Sequence, residues 1–389
     1  MKVRFEVIRR SMRLALTAVL AFGPAPALAQ RAEAAVAAPS TAGLTTREFA
    51  RLVEELSEPG GHFDTDNLIS NERGYLHVMG ALDRLGVRGG AYVGVGPDQN
   101  FSYIARIRPT IAFVIDIRRD NLLQQLLFKA LFARARNRVE YLALLTGRPS
   151  PPRAGRWAAW PADSIVAWVD RTEATEASRS AARRAVDAEV RRSGIELSAE
   201  DLATIGRFHG AFIDAGLDLK FTSSGRAPRW FYPTLRDLVL ERDLSGRPAG
   251  YLAREEDFQF LKELQRRNLV VPVVGDLGGA HALAAIGRVV RQRGERVSAF
   301  YTSNVEDYLM RGAGFERFAR TTAALPRDRR SVIIRSYFGR GARPAHPEAV
   351  PGYQSTQLLQ LLDAFAGDVA AGGYESYQDL VTRNPVKLR

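Results

Sequence analysis

The chain has 389 residues, 46% of them hydrophobic, enough to bury a sizeable core in one large domain or two smaller ones. It contains no cysteine, which excludes disulfides and thiolate metal sites. The formal charge of +12 is the excess of 55 basic over 43 acidic residues, and the basic ones are scattered along the chain without the basic stripe beside aromatic residues that a nucleic-acid surface needs.

Residues 1–29 read as an export signal. Lys2, Arg4, Arg9, Arg10 and Arg13 form a positive head, Leu14 to Phe22 an apolar stretch too short to span a bilayer, and Ala27-Leu28-Ala29 a small-residue cleavage site. The expected mature chain begins at Gln30 in the periplasm, with no membrane span left. Arg9-Arg10 before Ser11-Met12 is compatible with a twin-arginine route. The alternative is a cytoplasmic protein whose true start lies downstream. Residues 30–44, alanine-rich with Pro39, Ser40 and Thr41, are expected to be a tether. Thr45 or Thr46 then caps a helix with Phe49, Leu52, Val53 and Leu56 on one face, which Pro59-Gly60-Gly61 stops. The polar run from His62 to Glu72 lacks the spacing of a calcium hand and reads as caps and turns. A helix from Tyr75 to Leu85 ends at Gly86.

Residues 91–121 organise the chain. Val93 and Val95 belong to a short apolar strand that breaks at Gly94 and Gly96, where a backbone without Cβ turns sharply and admits a ligand. Pro97 suits the start of a helix carrying Phe101, Ile104 and Ala105, and Pro109 ends it. Ile111 to Ile115 is a continuous apolar run, as in a parallel strand covered on both faces, and delivers Asp116 to the carboxyl edge of the sheet. An acid about 20 residues beyond a glycine turn is placed to bind ribose hydroxyls. A dinucleotide is disfavoured, because Gln99 stands where the fingerprint needs a third small residue and Asp98 puts negative charge where a phosphate would sit. A ligand with a ribose, no phosphate and a positive charge suits Asp98 and Asp116 together, and S-adenosylmethionine is such a molecule.

After Asp116, a long helix from Asp120 or Asn121 carries Leu122, Leu126, Phe132, Val139 and Leu142 as far as Gly147. Arg118 and Arg119 at the strand end admit two readings, a hold on a ribose phosphate or plain exposed arginines. Residues 148–260 break the alternation of strand and helix and read as a mainly helical insertion, with Phe208, Phe212, Trp230, Phe231 and Tyr232 either packing it onto the sheet or touching a substrate. His209 has no partner at metal-ligand spacing and reads as packed or exposed. The alternation resumes in 261–340. Leu269 to Gly275 is a strand ending at Asp276, Arg296 to Thr302 a strand ending at Ser303-Asn304 before a helix with Glu306, and Ser331 to Phe338 a late strand. Helices over Ser355 to Phe365 and Glu375 to Val381 make 341–389 a helical extension.

The run Tyr92 to Asn121, Gly275-Asp276-Leu277-Gly278-Gly279 and Thr302-Ser303-Asn304-Val305-Glu306 together resemble an uncharacterised bacterial family with a fold similar to class I S-adenosylmethionine-dependent methyltransferases. The likeness spans about residues 45–340. It implies an α/β, doubly wound, mostly parallel Rossmann-like sheet, with the first part over 45–147. It also implies a cofactor site in which the Gly94 to Gly96 turn, with Asp98, Gln99 and Asn100, faces the amino acid end while Asp116 and Arg118 lie near the ribose. In such folds the segment before the first strand covers the cofactor, which makes Asp64, Asp66, Asn67 and Asn71 a lid. Asp276, Asn304 or Glu306 would position a nucleophile on a small-molecule substrate. Tyr92 stands where active methyltransferases usually carry an acid, and Asp98 where they carry a third glycine. An exported protein that keeps the fold but binds another small molecule or a partner without turnover is the alternative. Export favours it, since S-adenosylmethionine is made in the cytoplasm.

Overall fold

Continuous apolar runs in the sequence become strands buried on both faces, as parallel strands under helices must be. The computed structural model describes residues 42–389 except 66, 224–225 and 340–343. The expected signal, most of the tether and Asp66 therefore lie outside the described residues. Six strands, β1 (Ala91–Val95), β2 (Ile111–Asp116), β3 (Val270–Val274), β4 (Val297–Ser303), β5 (Val332–Tyr337) and β6 (Thr356–Leu361), form one sheet in the order β3-β2-β1-β4-β5-β6. The first five are parallel and β6 runs antiparallel to β5. The chain thus winds outward from β1 to β3, returns, and winds the other way through β4 and β5. This α/β arrangement is compatible with a Rossmann-like fold.

Both edges of the sheet are covered by chain segments, which removes the exposed backbone that edge strands otherwise present. Helix α1 (Thr46–Leu56) starts at a capping box in which Thr45 and Glu48 bond each other's backbone. It buries Phe49, Val53 and Leu56, and the residues after it reach β3: Ser57 Oγ accepts from the Val274 N–H, and the Glu58 N–H donates to the Val274 carbonyl. Pro272, which has no N–H to give to a ladder, is tolerated because β3 is the outermost strand on that side. On the far side the Val386 N–H donates to the Leu359 carbonyl of β6.

Two local expectations are revised. The segment Ser355 to Phe365 is not one helix: Thr356–Leu361 pairs with β5 along six residues, and a helix begins only at Leu362. Its polar and apolar residues fit both periods, and the open edge of β5 decides between them. The long helix after Asp116 breaks at Ala135 into α2 (Arg119–Arg134) and α3 (Arg138–Leu145), where Asn137 caps the second by accepting from the Glu140 N–H. Residues 148–260 contain the helices Ala162–Arg171, Glu176–Val190, Ala199–Ala215, Leu235–Val239 and most of Glu255–Arg266, with isolated bridges but no strand among the described residues. His209 there is buried against the Leu144 carbonyl, 2.9 Å away. None of the helices among the described residues is long and apolar enough to cross a membrane.

Behind the end of β4 lies an ion pair cut off from water. Arg335 of β5 and Glu306 are 2% and 0% exposed, with Nε 2.7 Å from Oε2. Thr302 and Gln360 add hydrogen bonds to the two partners. Removing one member of such a pair leaves an uncompensated buried charge, which costs about 3–5 kcal/mol, whereas replacing both with apolar residues of similar volume costs far less. In urea unfolding, Arg335→Ala is therefore expected to lose about that amount. The double variant Glu306→Leu with Arg335→Met should keep more stability than the single one.

Candidate functional site

The carboxyl ends of all five parallel strands open into one cavity of about 960 Å³. Val95 and Gly96 border it from β1, Asp116 from β2, Asp276 from the end of β3, Tyr301 and Ser303 from β4, and Phe338 from β5. The strand order reverses between β1 and β4, where open α/β sheets hold their ligands. Gly96 makes the turn, with φ at +85°, a conformation a side chain would strain.

The turn is held from beneath. Asn100 is wholly buried, and its Nδ2 donates to the Val95 and Pro97 carbonyls at 2.9 and 2.7 Å. Its Oδ1 accepts from the Tyr92 hydroxyl at 2.8 Å. Asn121 Nδ2 and Gln125 Nε2 donate to the Gly96 carbonyl. Asn100 is therefore a clasp on the turn and does not border the cavity. Gly94 is not in the turn but inside β1, where an added Cβ would lie 2.1 Å from Asn100 Oδ1 and 2.5 Å from the Tyr92 hydroxyl. Its missing side chain makes room for the clasp, not for a ligand. Asp98 also faces away, accepting from the Tyr251 hydroxyl at 3.0 Å, and burial pushes its carboxyl up to about 6. Of the residues expected around the turn, Gly96 and Gln99 border the cavity.

Asp116 stands where the strand reading put it, with its carboxylate already engaged. Oδ1 accepts from the Arg118 backbone N–H and Nε at 3.0 and 3.1 Å, and Oδ2 from Nη2 at 2.9 Å. Arg118 Nη1 reaches on to the Thr65 carbonyl at 2.8 Å. The pair is a strut between the sheet and the segment above it. Asp64, Asn67 and Asn71 of that segment all border the cavity. The helical insertion meets them, with Arg226 paired to Asp64 and the Thr222 carbonyl accepting from Thr65 Oγ1. Phe221 and Tyr232 add apolar wall.

Asp276 and Asn304 border the same cavity as Asp116. Asp276 Oδ1 accepts from the Gly278 N–H at 2.8 Å, a turn that aims the carboxylate from the end of β3. Glu306 does not reach the cavity, because it is turned inward onto Arg335.

The residue that sequence reasoning passed over is Glu72. It closes the polar run read as caps and turns, and nothing in its neighbours along the chain marks it. In the fold it is 1% exposed and borders the cavity. Its Oε2 accepts from the Tyr301 hydroxyl at 2.6 Å, from Gln357 Nε2 at 3.2 Å and from the Ser336 hydroxyl, and its Oε1 accepts from the Ser303 hydroxyl. Burial, with the Glu72 charge beside it, holds the Tyr301 phenol well above its ordinary value, so Tyr301 stays a donor. Among the described residues no cation pairs with Glu72 or Asp276, while Asp64, Asp116 and Asp307 are each paired with an arginine. No group of three side chains suited to a metal occurs among the described residues.

A family model described as a domain of unknown function, DUF7790, matches residues 68–202 and 214–371. No curated protein matches the chain.

The orientation of Asp98 yields a pH test. The unfolded chain loses this proton near 3.8 and the folded protein near 6, so the folded state holds the extra proton between those values. Stability from this group is complete below the lower value and is lost as pH rises through the upper one. A rise of that size corresponds to about 3 kcal/mol. Asp98→Asn, which can still accept from Tyr251, should therefore exceed the wild-type protein in stability by up to about 3 kcal/mol at neutral pH. In denaturant titrations the gap should close toward about pH 4.

Proposed function

The chain belongs to the DUF7790 family, a domain of unknown function, and from its site we propose that it is a methyltransferase-like protein that binds S-adenosylmethionine at the carboxyl edge of the sheet. The observation that carries this reading is the pair of acids without a cation, Glu72 and Asp276, in a cavity at the point where strand order reverses. Five acids against four arginines border the cavity, and next to Glu72 and Asp276 a cationic ligand is favoured over a phosphate. The volume is ample for a nucleoside-sized ligand.

In this reading the Gly96 turn and Asn67 hold the amino acid end, and Asp116 keeps one carboxylate lone pair for a ribose hydroxyl beside Arg118. Asp276 and Asn304 orient the nucleophile. The ligand brings an activated methyl group, and the chain's contribution is alignment and exclusion of water beneath the 62–72 segment.

One observation favours the second reading, an exported protein that binds another small molecule or a partner without turnover. Three of the four lone-pair positions of Asp116 are already taken by Arg118, which weakens the ribose clasp. Export belongs to both readings as a proposal, with cleavage after Ala29. N-terminal sequencing of the protein from its native host should find Gln30 first, and an intact Met1 would rule the cleavage out.

Calorimetry with S-adenosylmethionine and S-adenosylhomocysteine decides between the two. Loss of a hydrogen bond to a charged group costs about 1.5–3 kcal/mol, so Asp116→Ala should weaken both ligands about ten- to a hundredfold. Asp276→Asn should weaken the sulfonium more than the neutral thioether. Folded protein that binds neither ligand would leave only the second reading.

A further inference from the structure

Glu72 is the least expected charge in the molecule. Burying a carboxylate costs several kcal/mol unless a cation or a full set of hydrogen bonds offsets it, and Glu72 has no cation among the described residues. The surrounding network also fixes which way the neighbouring hydroxyl protons point. Gln99 Nε2 donates to the Tyr301 hydroxyl at 2.6 Å, and Gln357 Nε2 donates to the Ser336 hydroxyl at 2.7 Å. Each hydroxyl has an N–H on its acceptor side, so each must send its own proton to Glu72. The carboxylate is thereby engaged as an acceptor by both hydroxyls.

The bonds are unevenly shared. Oε2 takes three donors and Oε1 takes only that of Ser303, which leaves Oε1 with capacity for another. A second acceptor lies one link away along the same network. Gln99 is 6% exposed and borders the cavity, and its Oε1 is buried with no donor at all. Buried acceptors are rarely left unmatched, and each such exception calls for a partner. Ser303 adds strain to the same spot, being a non-glycine residue at φ +55° beside a register shift in the β4–β5 ladder.

We infer that Glu72 and Gln99 form a subsite for a primary ammonium group, in which Glu72 supplies the charge and Glu72 Oε1 and Gln99 Oε1 accept its N–H protons. The ammonium replaces the missing cation and satisfies the orphaned amide oxygen in one step. A quaternary ammonium offers charge without N–H donors, and an alcohol offers a hydroxyl without charge, so the subsite discriminates against both. The exposed pair Phe63 and Tyr308, 5.2 Å apart and edge to face, gives the same cavity an aromatic mouth suited to the apolar body of such an amine. This inference rests on the cavity being a small-molecule site and is independent of which cofactor it holds.

The test uses three probes of similar shape, phenethylammonium, its N,N,N-trimethyl analogue and 2-phenylethanol, with the full folded chain. Ligand-observed NMR and thermal shift should show phenethylammonium binding at least tenfold more tightly than either analogue. That preference should disappear in Glu72→Gln, and it should weaken in Gln99→Leu, which keeps the carboxylate and serves if Glu72→Gln fails to fold. Equal binding of all three probes by the wild-type protein, or no binding of phenethylammonium, would overturn the subsite. The same outcome with S-adenosylmethionine still bound would overturn the subsite alone, whereas loss of both would remove the cavity's reading as a ligand site.

Discussion

Where the site stands depends on how the end of β1 is tied. Asn100 reaches back from the first turn of its helix to the Val95 and Pro97 carbonyls, while Tyr92 donates to the same amide from the strand. These groups are fully buried, so each bond left unmade would cost about 1–3 kcal/mol. The clasp needs space on the strand, and Gly94 provides it by having no Cβ. With the turn fixed in this way, Gly96 exposes its backbone to the cavity, and Asn121 and Gln125 hold its carbonyl from α2. The two halves of the sheet then present their strand ends around one opening.

Charge is distributed around that opening in two ways. The outer groups, Asp64 with Arg226 and Asp307 with Arg311, are ion pairs with an exposed arginine, where water screens most of the attraction and the net worth is small. The first joins the covering segment to the insertion, and the second lies within one helix at the rim. Deeper in, Asp116 and Arg118 are both largely buried and the geometry is tight, so this strut does more to set the height of the covering segment. Five acids and four arginines border the cavity, so it carries a small acidic excess in spite of the basic chain as a whole. Bulk charge is a poor guide to what a cavity binds.

The buried pair of Arg335 and Glu306 illustrates how a motif can mislead. Glu306 lies in the first turn of a short helix beyond a strand end, a place from which an acid often serves a ligand. Here the register of β4 against β5 brings Arg335 under it, and the helix turns its acid to the core. The same register carries Ser303 and Tyr301 to Glu72. One ladder thus withdraws one carboxylate from the cavity and supplies another.

Sequence alone determined the elements whose period has a single reading. The apolar runs of β1 to β4 can only be strands buried on both faces, and parallel strands that alternate with helices bring Gly96, Asp116, Asp276 and Asn304 to one edge. Those four do border one cavity. What only the tertiary structure decided is which polar side chains at that edge are spent within the protein. Asn100 and Gly94 serve the turn, Asp98 is turned to Tyr251, and Asp116 is shared with Arg118. Residues 356–361 likewise became a strand because β5 had an open edge. Glu72 was unreadable for the same physical reason. A buried carboxylate is defined by its donors, and those of Glu72 come from β4, β5 and β6, separated from it by 229 to 285 residues of chain.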